Sequence, residues 1–131
     1  MFTIVHTTAG LTTALLIKDP VMSVTISFLS HEVLDRILGE GNFYPNRLSM
    51  AIIELGAFVA LALILCYTKN YLPLSCIVTA NIHDIIDKSF GNNKVFEVHS
   101  TTPKLFLGKG ATLLINFVCL IFILLIGAIY V

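Results

Sequence analysis

The stretch His31-Glu32-Val33-Leu34-Asp35-Arg36-Ile37-Leu38-Gly39 decides how this chain is read, because it returns 52 residues later as His83-Asp84-Ile85-Ile86-Asp87-Lys88-Ser89-Phe90-Gly91. Both copies reduce to His, acid, apolar, apolar, Asp, base, any residue, apolar, Gly. Each closes a long apolar run, so each sets ionisable side chains at the end of a candidate membrane helix. Ionisable groups at that depth are costly and point to function.

Working outward, the first copy ends a helix predicted over Pro20–Leu38, apolar as far as Leu29. Before it, Phe2–Ile17 is a run of 16 residues holding His6 among threonines, short of the roughly 20 needed to span a bilayer. Lys18-Asp19-Pro20 is a tight turn, and Pro20 suits the first position of a helix. After the first copy, Gly39-Glu40-Gly41-Asn42 and Pro45-Asn46 make a polar loop. Helix three, about Leu48 to Thr68, is the clearest spanning segment and is marred only by Glu54. Lys69-Asn70 forms another tight turn. Helix four, Tyr71 to about Phe90, bears His83, Asp84 and Asp87 in its last turns. A polar connection from Gly91 to Lys109 includes His99. Helix five, Gly110–Val131, has Asn116 as its one amide and needs no role beyond anchoring.

The period therefore covers a helix–turn–helix pair twice, at about 1–47 and 48–99, followed by an extra helix at 110–131. The expected fold is all-α: a single polytopic membrane domain of about five transmembrane helices. Because each unit crosses twice, the two copies keep one orientation and form a parallel repeat, unlike the inverted repeats of many transporters.

Composition agrees. The chain is 56% hydrophobic and 12% charged, with a mean hydropathy of +0.91, whereas soluble domains carry about 25% charged residues. Eight bases balance eight acids, so no nucleic-acid partner is expected. Cys66, Cys76 and Cys119 lie in apolar runs without CxxC spacing and read as small apolar filler. The start lacks a basic region and a small-residue cleavage site, so the first helix is expected to be retained.

Alternating the five segments places Arg36, Arg47, Lys88, Lys94, Lys104 and Lys109 on one side and only Lys18 and Lys69 on the other. The positive-inside rule then puts the N-terminus in the cytoplasm and the C-terminus outside. On that topology His6, His31, Asp35, Glu54, Asp84, Asp87 and His99 all fall at the cytoplasmic end. Such a layer in an apolar chain reads as a site.

His31 and Asp35 are spaced i, i+4 and share a helix face, as do Asp84 and Asp87 at i, i+3. Histidine with carboxylate suits zinc, manganese or iron. Three histidines and four carboxylates suffice for two ions, and paired ions stabilise the attacking and leaving oxygens of phosphoester hydrolysis. His83 is an alternative ligand to Asp84, since His83 and Asp87 are also i, i+4. The repeat favours His83, and helix geometry alone does not choose. Each group also has a plainer reading: His6 as a hydrogen-bonded core histidine, Glu54 as a partner of Arg47 or Arg36, and the repeated acid–base pairs as charges reaching for headgroups.

Ser27-Phe28-Leu29-Ser30-His31-Glu32-Val33-Leu34-Asp35 resembles the "F-L-S-H-x-x-L-D" helix end of the LexA-regulated, membrane-bound metal-dependent hydrolase-like family. The segment His83-Asp84-Ile85-Ile86-Asp87-Lys88 is similar to that family's "P-D-x-x-D". His6-Thr7-Thr8-Ala9-Gly10, Glu54 and Val98-His99-Ser100 fit the same pattern. The resemblance implies a functional set of His6, His31, Asp35, Glu54, Asp84, Asp87 and His99. His83 stands where the family has Pro. The family's "P-H-x-D" is replaced by Ile37-Leu38-Gly39-Glu40-Gly41-Asn42, with Glu40 as the available acid.

The residues lead to the expectation of a divalent metal site (zinc or manganese, one ion or two), and the resemblance implies an inner-membrane protein of a prokaryote or phage. The expected activity is hydrolysis of a phosphoester or lipid headgroup, with phospholipid the natural substrate. His6, His31, Asp35, Asp84, Asp87 and His99 are the candidate ligands, and Glu54 or Asp84 the general base. The alternatives are non-enzymatic: a small ion transporter, or a structural or assembly subunit whose charges lock helices together.

Overall fold

The computed structural model describes residues 3–38, 47–89 and 109–130, apart from the side chains at 3, 36, 38, 47–51, 87–89, 109–110, 112–113 and 130. The described chain is all-α. Its five helices are α1 (Thr3–Leu16), α2 (Pro20–Leu38), α3 (Arg47–Tyr67), α4 (Tyr71–Ser89) and α5 (Lys109–Tyr130). The expected boundaries agree to within a residue at each end.

Local chemistry explains the turns. Asp19 caps α2 by accepting the Met22 amide on its side-chain oxygen at 2.8 Å, and Pro20 follows as the first helical residue, where its missing N–H costs nothing. α3 ends in a Schellman motif. The Lys69 amide donates to the Cys66 carbonyl and the Asn70 amide reaches back to Leu65 at 2.9 Å. That motif puts Lys69 in the left-handed region, at φ 58°.

α1 lies against all four other helices, and α4 against α1, α2 and α3. α2 and α4 run side by side in one direction, as Ser23 meets Cys76 and His31 meets Ala80. α1 runs the opposite way between them, its Gly10 on the Cys76 backbone and its Thr7 at Asn81. Small residues permit this closeness: a Cβ on Gly10 would sit 2.5 Å from the Cys76 carbonyl oxygen and 3.0 Å from the Ile77 Cα. The apolar core gathers Ile4 and Leu11 of α1, Leu61 and Leu65 of α3, Ile77 of α4 and Ile123 of α5.

The expectation of spanning helices fares differently. Among the described residues no helix is long and apolar enough to cross a membrane. α1 has 14 residues, about 21 Å at 1.5 Å per residue. α2 and α4 carry their histidines and aspartates in their last turns, and α3 carries Glu54.

Candidate metal centre

Four side chains from three helices converge beside α1. Asp35, on α2, is the hub: its Oδ1 lies 3.1 Å from Nε2 of His6, and its Oδ2 lies 3.2 Å from Nε2 of His31. Asp84 of α4 brings its Oδ1 to 4.0 Å from that same His31 nitrogen. Both histidines are 1% exposed, whereas the Asp35 and Asp84 side chains keep 18% and 15% of their surface. The centre is therefore walled by imidazole and reachable past its carboxylates.

His31 is oriented from behind. Its Nδ1–H donates to the Ala80 carbonyl at 2.8 Å, which fixes the tautomer and leaves Nε2 facing Asp35 and Asp84. Histidine ligands of metals are held in this manner. A nitrogen lone pair 3.2 Å from a carboxylate oxygen is repulsive unless a positive charge lies between them, either a proton or a metal ion. The spacing suits an ion. Two ligands bound at about 2.0–2.1 Å in a tetrahedral shell stand roughly 3.3 Å apart.

His6, His31 and Asp84 each offer one ligand atom, all within 4.8 Å of one another, and this group could hold a metal ion. One orphaned atom fits that reading: Asp84 Oδ2 is buried without a hydrogen-bond partner among the described residues. Between the alternatives at the second copy, the ligand atom in the group belongs to Asp84 and not to His83. The His83 ring packs at a tilt against Phe28, centroids 4.5 Å apart, and against His31 at 4.8 Å.

Glu54 is buried on α3. Asp87 belongs to α4, but its side chain lies outside the described residues, as do His99 and Glu40 altogether.

The sequence reading missed Thr7, Asn81 and Asn116. Asn81 is 1% exposed and donates to Thr7 Oγ1 at 3.1 Å and to the Ile77 carbonyl at 2.7 Å, pinning α4 to α1 one residue from His6. Its spacing of i, i+3 from Asp84 was an available signal. Asn116, expected to need no role, is 4% exposed. It lies a turn from Cys119, whose carbonyl receives Thr8 Oγ1, so α5 adds a buried amide near the polar end of α1.

No family model, curated protein or solved structure matches the chain.

Proposed function

We propose that this chain is a membrane-embedded, metal-dependent hydrolase of a phosphoester or lipid headgroup, of the kind its helix-end motifs resemble. The observation that carries the reading is the convergence of His6, His31, Asp35 and Asp84 at ligand spacing, with His31 anchored through Ala80. In such a site a divalent metal supplies Lewis acidity and lowers the pKa of a bound water. The protein's part is to hold the ligands rigid and to exclude water on the imidazole side. It admits substrate on the carboxylate side, where Asp35 and Asp84 retain exposure.

Membrane embedding is supported by what the helices show outward. Leu29 of α2, Ile52 and Leu63 of α3, and Leu114, Phe117, Leu124 and Ile129 of α5 are each more than half exposed, and exposed apolar side chains in such number mark a surface that meets lipid or a partner. Inside, Gly10, Ser23, Ser27 and Ala80 line the close helix contacts, as small residues do between helices in lipid. The basic residues at 36, 47 and 88 favour an orientation with the metal end on the cytoplasmic face.

The test is direct. The protein purified in detergent is assayed for metal content and for headgroup release from phospholipid vesicles, with and without a chelator. Chelator-sensitive release, lost in Asp84→Asn, supports the proposal. Metal content near zero, unchanged by replacing Asp35 and Asp84 together, would sink it. Vesicles that moved a divalent cation without hydrolysis would replace it with the transporter reading.

A further inference from the structure

We infer that Asp35 bridges two divalent cations, one held with His6 and the other with His31 and Asp84. This rests on the metal-site reading above and deepens it by choosing two ions over one and by dividing the ligands between them.

The argument is geometric. The His6 and His31 rings stack with centroids 4.0 Å apart and planes only 27° from parallel. The lone pair of a ring nitrogen lies in the plane of its ring, so two stacked rings aim their nitrogens nearly side by side. They do not converge on one point about 2.0–2.1 Å from each nitrogen, as a shared zinc or manganese would require. What they do face is one carboxylate, and each faces a different oxygen of it: His6 Nε2 is 3.1 Å from Oδ1 and His31 Nε2 is 3.2 Å from Oδ2. Each pair has the separation of two ligands on the same ion.

Asp84 breaks the symmetry. Its Oδ1 lies 4.0 Å from His31 Nε2, which gives the second ion a further carboxylate. That asymmetry makes the His31 position the tighter one, filled first. The His6 position is the weaker, so a ligand lost there costs one ion and leaves the other.

The experiment uses the full chain in detergent, stripped with a chelator and reloaded with Mn²⁺, read by metal per chain after desalting and by electron paramagnetic resonance. About two ions per chain with an exchange-coupled spectrum are expected. His6→Ala, checked for folding by circular dichroism, should hold about one ion with the coupling gone. Asp35→Asn should also abolish the coupling. One ion per chain in the unsubstituted protein, uncoupled, would overturn the bridge while leaving a metal site in place. Two ions that stay uncoupled would overturn it as well. No bound metal would overturn both this inference and the reading it rests on. A folded His6→Ala that keeps the coupled pair, or that loses all metal, would also refute the division of ligands.

Discussion

His31 and Ala80 are joined across two helices: the imidazole Nδ1–H of α2 donates to a carbonyl of α4 at 2.8 Å. A helix carbonyl that already serves its own ladder thus takes a second donor. This bond makes the ring a fixed part of the wall between α2 and α4, with only Nε2 left to the site.

Replacing that ring should therefore cost more than one contact. In His31→Gln we expect metal affinity to fall by at least the roughly 10–100-fold seen when an orienting partner of a ligand is lost. Isothermal titration of the stripped protein with Zn²⁺ measures this. Unchanged affinity would show that His31 is only a strut between helices.

Metal removal should lower thermal stability. The four groups converge only in the folded chain, so an ion binds the folded state and not the unfolded one. At a free concentration about a hundredfold above its dissociation constant it adds about 2.7 kcal/mol. Unfolding in detergent, followed by circular dichroism with and without chelator, should show a lower midpoint when the metal is withdrawn. The difference should shrink in Asp84→Asn.

How far the sequence reaches can be judged from these same residues. Helix ends were legible because they are written locally: Asp19-Pro20 is a cap with its first-turn proline, and Lys69-Asn70 breaks the apolar run. His31 and Asp35 were legible because their spacing puts them on one face. Asn81 and Thr7 were not, because the hydrogen bond that joins them runs between helices and no spacing along the chain announces it. Their pairing exists only once the register of α1 against α4 is set. His83 was favoured by the repeat for the same reason in reverse. Internal similarity says that two helix ends are alike, but not which of them a third helix will lie against.

Gly10 and Gly56 should separate packing from propensity. A methyl at Gly10 would lie 2.5 Å from the Cys76 carbonyl oxygen, whereas one at Gly56 meets nothing within 4 Å. Gly10→Ala should destabilise by the 1–3 kcal/mol typical of overpacking, or more, since backbone rather than a side-chain tip must yield. Gly56→Ala should gain about 0.5–1 kcal/mol from helix propensity. Thermal midpoints in one detergent decide both, and equal shifts would contradict the close α1–α4 contact.

Lys69 occupies a left-handed conformation, φ 58°, that costs a residue with a Cβ about 1–2 kcal/mol. Lys69→Gly should therefore stabilise the chain by about 1 kcal/mol, seen as a raised midpoint at unchanged metal content. A lowered midpoint would mean that the lysine side chain has a use the turn geometry does not reveal.

Gly10 and His6 stand one turn apart on the same face of α1, and Gly10 rests on the backbone of α4. The bundle therefore gauges its own width at a point where the side chain is a hydrogen atom, and His6 is held from Asp84 at whatever gap that gauge allows. The calibration of the centre rests on an omitted carbon, one turn below the nearest donor atom. Anything that prised α1 from α4, whether a bulkier residue or a foreign molecule wedged at the seam, would loosen the grip on the ion before it unwound a helix.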